Sequence, residues 1–207
     1  MSRLPWLLAL VSLSAACTVQ KQVRVDFSET PRDYLPRDYD GVYQRWTRHD
    51  YAQHQVVDKS LEVWATYKSW DFREAYIAHY AAVYSLSDGD RNKLRAAQRD
   101  AYKAAYEFHV TAQSAKWEWN DLEKPSSPWR VTLIDGLGHE LPADKIRIEK
   151  LPDAYEREFF PSKTPFTKTY SIRFPAPQGG DFAGIGSGLL TLRFESPIGH
   201  VELRWQS

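Results

Sequence analysis

The chain has very little cysteine and no excess of charge of either sign. Cys17 is the only cysteine among 207 residues, which excludes an internal disulfide and a metal site built from several thiolates. The 27 basic and 27 acidic residues give a formal net charge of zero, and no segment carries an uncompensated basic block. Because nucleic-acid binding depends on such a block to neutralise phosphates, we expect no nucleic-acid partner.

The sequence also lacks an apolar run long enough to cross a bilayer, which takes about 20 residues. Its longest apolar stretch, Leu4 to Leu13, follows Arg3 and precedes small residues at 14–16. A basic residue, a short apolar run and small residues in that order are typical of an export signal peptide. We therefore predict a signal peptide over residues 1–16 and no transmembrane helix.

The residues LSAAC (13–17) resemble the lipobox of bacterial lipoproteins, with Ser14 where leucine is commonest. The resemblance implies that Cys17 is the lipidation site, with palmitate among its acyl chains, and the first residue of the mature chain. Several acyl chains hold a protein stably on a membrane. Thr18, rather than an aspartate, follows the cysteine, which favours the outer membrane, facing the periplasm. The resemblance therefore implies a lipid-anchored protein of the cell envelope. The alternative is an ordinary signal peptide beside a chance cysteine.

The segment after the cysteine is predicted to be a tether over residues 17–40. It contains PRDY twice, at 31–34 and 36–39, and two prolines in six residues disfavour regular helix and sheet. The alternative interpretation is a recognition motif in duplicate. Residues 41–53 are expected to form a short helix with one apolar side, made of Val42, Tyr43 and Trp46.

Seven short segments from residue 60 onward alternate apolar and polar residues, the pattern of a strand with one buried face. In YEFHVTAQ (106–113), for example, Phe108 and Val110 face one way and His109 faces the other. The inward sets of the remaining segments are Leu61, Val63, Ala65 and Tyr67; Trp129, Val131 and Leu133; Ile146 and Ile148; Tyr170, Ile172 and Phe174; Leu190, Leu192 and Phe194; and Val201, Leu203 and Trp205. Since fully buried parallel sheets lack this alternation, we predict a mainly β domain over residues 41–207, an immunoglobulin-like antiparallel β-sandwich of about seven strands.

Between the first two predicted strands the spacing of apolar residues changes to that of a helix. Two such stretches, WDFREAYIAHYAAVYSL (70–86) and the residues after Ser87, indicate a helical hairpin inserted at about 70–105. Its aromatic stripe requires packing across one end or one face of the sandwich. The acid pairs Asp71 with Glu74 and Asp88 with Asp90 are interpreted as helix caps rather than catalytic carboxylates.

Three short elements of the body are shared with a group of uncharacterised envelope lipoproteins. They are WND (119–121), WRVTL (129–133) and FFP (159–161). The body resembles that group over roughly residues 60–206. The resemblance implies the same sandwich architecture and no known activity.

The patterns that carry common catalytic or metal chemistry are not found in the sequence. GIGSG (184–188) lacks the glycines that a nucleophile elbow needs two residues before and after Ser187, and no lysine follows as in a phosphate loop. The histidines show no metal-ligand spacing, and His109 is interpreted as a surface or hydrogen-bonded side chain. We expect no catalytic residue, no cofactor and no metal site.

Two long loops rich in aromatic residues and proline are the best candidates for a binding surface. They cover residues 116–128 and 152–166, and their large aromatic side chains are Trp117, Trp119, Phe159, Phe160 and Phe166. Sandwich proteins often bind through such loops. We therefore expect a non-catalytic binding or structural module with an envelope protein or glycan as partner. The alternative is that these residues only close the ends of the sandwich.

Two other functions and one other surface stay open. A hydrolase acting on envelope polymers would gather two carboxylates, or His109 with an acid, in a deep pocket. A carrier of a hydrophobic ligand would enclose a cavity lined by Tyr76, Tyr80 and Phe108 beneath the helical hairpin. Outward-facing arginines either pair with Glu149, Glu195 and Glu202 or bind an anionic partner; they are Arg130, Arg147, Arg173, Arg193 and Arg204.

Overall fold

The computed structural model describes residues 23–54, 58–177 and 180–207, in which two antiparallel sheets pack face to face as a β-sandwich. The nine strands described are β1 Thr47–His54, β2 Asp58–Tyr67, β3 Ala105–Gln113, β4 Arg130–Asp135, β5 Glu140–Pro142, β6 Lys145–Ile148, β7 Lys168–Pro175, β8 Leu189–Ser196 and β9 Gly199–Gln206. One sheet has the order β1-β2-β3-β7-β6 and the other β5-β4-β8-β9. The predicted signal peptide, Cys17 and the start of the predicted tether lie outside the described residues.

Four α-helices are described, namely α1 Tyr39–Trp46, α2 Trp70–Val83, α3 Asp88–Ala104 and α4 Asp153–Phe159. Helices α2 and α3 lie between β2 and β3, so they follow the second described strand rather than the first. The reason is β1, which the sequence analysis assigned to the end of a helix over 41–53. Its residues, TRHDYAQH, are nearly all polar, and it forms by pairing with β2 from Thr47 opposite Thr66 onward.

The predicted inward-facing residues form one core between the two sheets. The rings of Phe108 and Trp205 lie 5.3 Å apart between centroids and those of Tyr67 and Trp205 lie 6.4 Å apart, which joins the five-stranded sheet to the four-stranded one. Val131 is 5% exposed and Leu133 is fully buried. Ile148 is the exception at 40% exposed, because β6 is an edge strand of its sheet.

The outer face of the five-stranded sheet is covered by a second aromatic layer, contributed by α1, α2 and α4. The ring of Phe160, at the end of α4, stacks on His109 of β3 with centroids 3.6 Å apart. Phe159 contacts Tyr39 of α1 and Tyr76 of α2 at 6.0 and 5.3 Å between centroids. Helix α3 differs, since none of its residues is buried.

The acids predicted as helix caps take part in capping at α3, through Asp90, but not at α2. In α3 the predicted Asp90 takes part in the cap, which is made by Ser87: Ser87 Oγ accepts from the Asp90 amide at 3.2 Å and donates to Asp90 Oδ2 at 2.8 Å. For α2 the cap is Ser69, whose Oγ accepts from the Phe72 amide at 3.1 Å. Asp71 instead accepts from the Trp46 indole at 2.8 Å, and Glu74 pairs with an arginine of α3. Both acids are therefore buried ion-pair or hydrogen-bond acceptors within the tertiary structure.

The described part of the predicted tether packs against the sandwich. The Val25 amide donates to the Gln206 carbonyl at 2.8 Å, and Val25 is 5% exposed. Tyr39 is 1% exposed and its hydroxyl donates to the Phe159 carbonyl at 2.6 Å. Residues on the N-terminal side of the predicted boundary at residue 40, from Val25 onward, therefore contribute to the packing. Extended chain allows such contacts, because its side chains can reach the sandwich without a helix or sheet of their own.

Candidate binding surface

Two long loops meet at one end of the five-stranded sheet. Strand β3 ends at Gln113 and β7 begins at Lys168, and these strands are antiparallel neighbours with Ala112 opposite Lys168. The loop that follows β3 and the turn that precedes β7 must therefore lie side by side. Both loops were singled out from the sequence for their aromatic residues.

The loop after β3 is held in place by a buried asparagine. Asn120 is 1% exposed, and its amide nitrogen donates to the Ala112 carbonyl at 2.7 Å. The hydroxyl of Tyr170 lies 3.0 Å from both the carbonyl and side-chain oxygens of Asn120. The Trp129 indole donates to the Trp119 carbonyl at 2.8 Å. These bonds fix the backbone from which Trp117 projects.

The turn before β7 is closed by Thr167. Its hydroxyl donates to the Thr164 carbonyl at 2.9 Å, and its oxygen accepts from the Thr164 amide at 3.0 Å. This leaves Phe166 outside the turn, 75% exposed. Trp117 is 67% exposed, and Trp119 is half-buried.

Each of three lysines at this end lies over an aromatic ring. Lys168 Nζ is 4.6 Å from the Trp117 ring centroid, Lys116 Nζ is 4.4 Å from that of Trp119, and Lys59 Nζ is 4.7 Å from that of Tyr51. The Lys59 carbonyl accepts from the Ala115 amide at 3.1 Å, which joins the third pair to the first two. We call this surface the lysine–aromatic end; it consists of Tyr51, Lys59, Lys116, Trp117, Trp119, Phe166 and Lys168.

The lysines and Tyr51 were missed by the sequence analysis. The local signal for two of them was present, because Lys116 precedes Trp117 and Lys168 follows Phe166 by two residues. Lys59 and Tyr51 reach this end only through pairing of β1 with β2 and of Lys59 with the loop after β3. That pairing is tertiary and has no local signal.

Phe159 and Phe160 do not belong to this surface, although the sequence analysis placed them there. They are 0% and 3% exposed and pack in the layer beneath α1 and α2. The segment 152–166 was expected to be a long loop rich in aromatic residues and proline, whereas residues 153–159 form α4. The helices that cover the sheet give both rings buried partners, so they contribute to packing and cannot contact a partner.

His109 is also buried, so of the two predicted positions, surface or hydrogen-bonded, the surface one is wrong. It is 2% exposed beneath Phe160, and its Nδ1 lies 3.4 Å from Glu149 Oε2. Burial lowers the pKa of His109, which keeps the ring neutral, although Glu149 opposes this. The cavity beside it, of about 390 Å³, is lined by Glu107, Lys145, Arg147, Ile148, Glu149, Ser171 and Arg173, without the histidine ring.

The carboxylate of Glu107 is held by structural ion pairs. Glu107 receives hydrogen bonds from Lys68 at 2.9 Å and Arg73 at 2.8 Å. Burial opposes its ionisation, but these two cations outweigh burial and lower the pKa of Glu107 to about 2. Arg73 is 2% exposed, so this pair ties α2 to the outer face of β3.

The outward arginines divide between pairing and solvent. Arg193 donates to Glu202 at 2.9 Å and Glu140 at 3.2 Å, and Arg204 also pairs with Glu202. Arg147 and Arg173 line the cavity beside Glu149. The arginines lie on both sheets, so they do not form one continuous patch.

The residues named for a ligand carrier lie on opposite sides of a sheet. Phe108 packs between the two sheets with Trp205. Tyr76 lies in the outer layer, where its hydroxyl is 2.8 Å from that of Tyr155. Tyr80 contacts Phe159 in that same layer. These three side chains therefore cannot line one cavity.

Ser187 has a structural position in a short 3-10 turn. Its Oγ lies 2.6 Å from the Gly184 carbonyl and accepts from the Gly136 amide at 2.7 Å. Gly184 has a positive φ of 54°, and a Cβ there would lie 2.0 Å from the Tyr106 hydroxyl. The close approach of Tyr106 to Gly184 thus requires glycine at this position of the turn.

A groove of about 770 Å³ lies between the edge strands β1 and β9, with Arg48, His49 and Arg204 in its walls. Val23, the first described residue, also lines it.

Within the described ranges, no three His, Cys, Asp or Glu side chains gather where they could hold a metal ion. No helix in the described part of the chain is long and apolar enough to cross a membrane.

Comparisons with known proteins return one solved structure. It is described as a novel protein of unknown function from Burkholderia pseudomallei K96243, with 16% sequence identity and a TM-score of 0.40 over 86% of this chain and 93% of that one. No protein-family model matches the chain, and no curated protein matches it.

Proposed function

We propose that this chain is a lipid-anchored cell-envelope protein, held by Cys17, that acts as a non-catalytic binding module through the lysine–aromatic end. An export signal followed by LSAAC supports the anchor, and its sorting residue Thr18 favours the outer membrane, facing the periplasm. The partner at the binding surface is an envelope component, and neither a cofactor nor nucleic acid takes part.

The exposure of Trp117 and Phe166 carries the binding part of this proposal. Most large aromatic residues of this chain pack in the core or the outer layer, whereas these two are 67% and 75% exposed on backbone that is firmly hydrogen-bonded. Both residues lie at the same end of the sandwich, and exposed apolar patches mark interaction sites. A packing role does not account for them, since Asn120 and Trp129 already close the sandwich beneath.

The disposition of the buried ionisable groups favours binding over catalysis. The carboxylates of Asp71, Glu74 and Glu107 all form ion pairs, and these pairs join α2 to its neighbours. Asp135 accepts from the amides of Leu137 and His139 at 2.9 Å and so shapes a turn. His109 lies under Phe160, without access to a substrate.

We also infer that the sandwich is immunoglobulin-like, with the helical pair as an insertion between its first two strands. Immunoglobulin sandwiches have strands A, B, E and D in one sheet and C, F and G in the other. Assigning A to β2 and G to β9 reproduces both orders, as β2-β3-β7-β6 and β4-β8-β9. In this assignment β1 and β5 are additional edge strands, and α2 with α3 is the insertion.

The anchor is tested by replacing Cys17 with serine and fractionating the producing cells. We expect the Cys17→Ser protein to move from the membrane fraction to the soluble envelope fraction or to remain as unprocessed precursor, because no acyl chain can be attached. The matched control is Ser14→Leu, which brings the motif closer to the lipobox and should keep the protein on the membrane. Unchanged attachment of the Cys17→Ser protein would contradict the anchor.

A further inference from the structure

We infer that the partner of the lysine–aromatic end is the bilayer surface itself, so that the domain lies with this end against the membrane that holds its lipid. The inference rests on the proposed lipid anchor and identifies what the proposed binding surface contacts. It is carried by the composition of that end and by the direction in which the chain enters the domain.

The composition matches that of protein surfaces at a membrane interface. Tryptophan and tyrosine are enriched at the headgroup level, where an apolar ring and a polar edge are both accommodated. Lysine stems extend along apolar surface while their ammonium groups remain in water or among headgroups. At this end two tryptophans and a tyrosine each have a lysine over the ring at 4.4 to 4.7 Å. The exposed Phe166 lies two residues before Lys168 in the same turn.

The three lysines differ in whether a carboxylate of the protein neutralises their charge. Lys59 donates to Glu62 at 2.7 Å, so its charge is partly neutralised. In the part of the chain that the structure describes, Lys116 and Lys168 have no carboxylate partner, and Lys168 donates to the Asn120 carbonyl. Their positive charge favours anionic lipid headgroups, with each basic side chain adding a modest attraction.

The first described residues run along β9, away from this end. Arg24 bridges Gln206 in parallel orientation, and the Val23 carbonyl accepts from Arg48 at 2.8 Å. Residues 25 to 23, followed towards the N-terminus, therefore point along β9 towards its first residue, Gly199. Gly199 lies at the lysine–aromatic end, where a Cβ added to it would be 2.8 Å from Ala52 and 3.0 Å from Ser60.

The length of the segment before Val23 agrees with this arrangement. Five residues separate Cys17 from Val23, and six steps of extended chain reach about 20 Å. The eight residues of β9 cover a similar distance, about 24 Å. A lipid on Cys17 can therefore enter the bilayer beside the lysine–aromatic end, which brings Trp117 and Phe166 to the headgroups.

Two labelled positions at opposite ends of the sandwich test the orientation. Glu118→Cys places a thiol between Trp117 and Trp119, and Leu137→Cys places one in the β4–β5 turn at the other end. Both native side chains are exposed, and Leu137 is 67% exposed, so both variants are expected to fold. Each thiol carries an NBD fluorophore on the full-length, lipidated protein, in vesicles of phosphatidylethanolamine and phosphatidylglycerol that contain a doxyl-labelled phospholipid.

We expect doxyl quenching at position 118 to exceed that at 137 by about threefold or more, because only the first lies at headgroup depth. Adding Trp117→Ser and Phe166→Ser should reduce quenching at 118 to the level at 137. Leu35→Ser, which removes an exposed side chain elsewhere, should leave it unchanged.

The outcomes separate the inference from the anchor. Equal quenching at both positions on protein that floats with the vesicles would overturn the orientation and leave the anchor standing. A label at 118 that responds to added cell-wall glycan but not to the doxyl lipid would overturn it in favour of a glycan partner. Protein that does not float with the vesicles would overturn the anchor, and the inference with it.

Discussion

The two ends of the sandwich are both rich in aromatic residues but use them in opposite ways. At the end where β9 finishes, Trp46 and Trp205 are fully buried, and the Trp205 indole donates to the Trp46 carbonyl at 2.8 Å. At the lysine–aromatic end, Trp117 and Phe166 are mostly exposed. The same residue types therefore close the core at one end and extend beyond it at the other.

The difference does not arise from a lack of packing partners at the lysine–aromatic end. Trp129 is 5% exposed there and Leu122 is 3% exposed, so this end has its own apolar closure. Trp117 and Phe166 lie outside that closure. The aromatic residues buried at one end therefore contribute to stability, whereas those exposed at the other end can contact a partner.

The largest loss of folding stability is expected from a substitution in the core between the two sheets. Val131→Asp places an unpaired carboxylate between the sheets and should cost about 4 kcal/mol or more, or prevent folding. The adjacent Arg130 is exposed on the other face of β4, so Arg130→Asp should change stability by only about 0.5 kcal/mol. Urea unfolding of the two variants measures both values. A mild effect at 131 would contradict the assigned strand parity.

A second pair of substitutions, one at each end of the sandwich, compares the two ends directly. Trp46→Ala should lower the free energy of unfolding by about 3–5 kcal/mol, because it removes a fully buried indole. Trp117→Ala should lower it by no more than about 0.5 kcal/mol, because its ring is mainly in solvent. Thermal and urea unfolding of both variants give the difference. Similar losses at both positions would mean that Trp117 packs as Trp46 does.

A third pair separates the phenylalanines that the sequence grouped together. Phe160→Ala removes the ring that covers His109 and should cost about 3 kcal/mol. Phe166→Ala should cost about 0.5 kcal/mol or less, since it leaves the turn closed by Thr167 intact. The measurement is again equilibrium unfolding, and a reversed order would show that the two residues have been assigned to the wrong surfaces.

A smaller loss of stability, which depends on pH, is expected when the ion pairs beneath the helices are removed. Because the pKa of Glu107 falls from 4.5 to about 2 in the folded chain, its stabilisation is complete above pH 4.5 and is lost as the pH falls towards 2. Glu107→Gln should therefore cost about 2–3 kcal/mol at pH 7 and less than about 1 kcal/mol near pH 2.5. Unfolding curves at both pH values test this. An equal cost at both would mean that the carboxylate does not act through its charge.

The sequence predicted those features whose signal is local. Strands β3, β4, β7, β8 and β9 alternate between apolar and polar residues, and the structure confirms their inward sets. Strand β1 lacks that alternation, since only Ala52 of its eight residues is buried and apolar, and it depends on pairing with β2. Such pairing is a contact between segments that no single window of sequence contains.

The errors at the site have the same origin. Phe160 was placed on the surface because its partner, His109, is distant in sequence and on another element. Asp71 was interpreted as a cap, whereas its hydrogen-bond partners Tyr34 and Trp46 come from the segment before β1. Trp117 and Phe166 were predicted as surface residues, since long loops between strands leave some aromatic side chains without a core to join.

The orientation of the domain on the membrane is the central claim, and crosslinking in the producing cells tests it most directly. A photoreactive phenylalanine analogue is introduced at position 117 or, as the control, at position 137, and the captured molecules are separated into lipid and protein. We expect position 117 to capture mainly phospholipid and position 137 to capture little. Capture of phospholipid at 137 but not at 117, or equal capture at both, would contradict it.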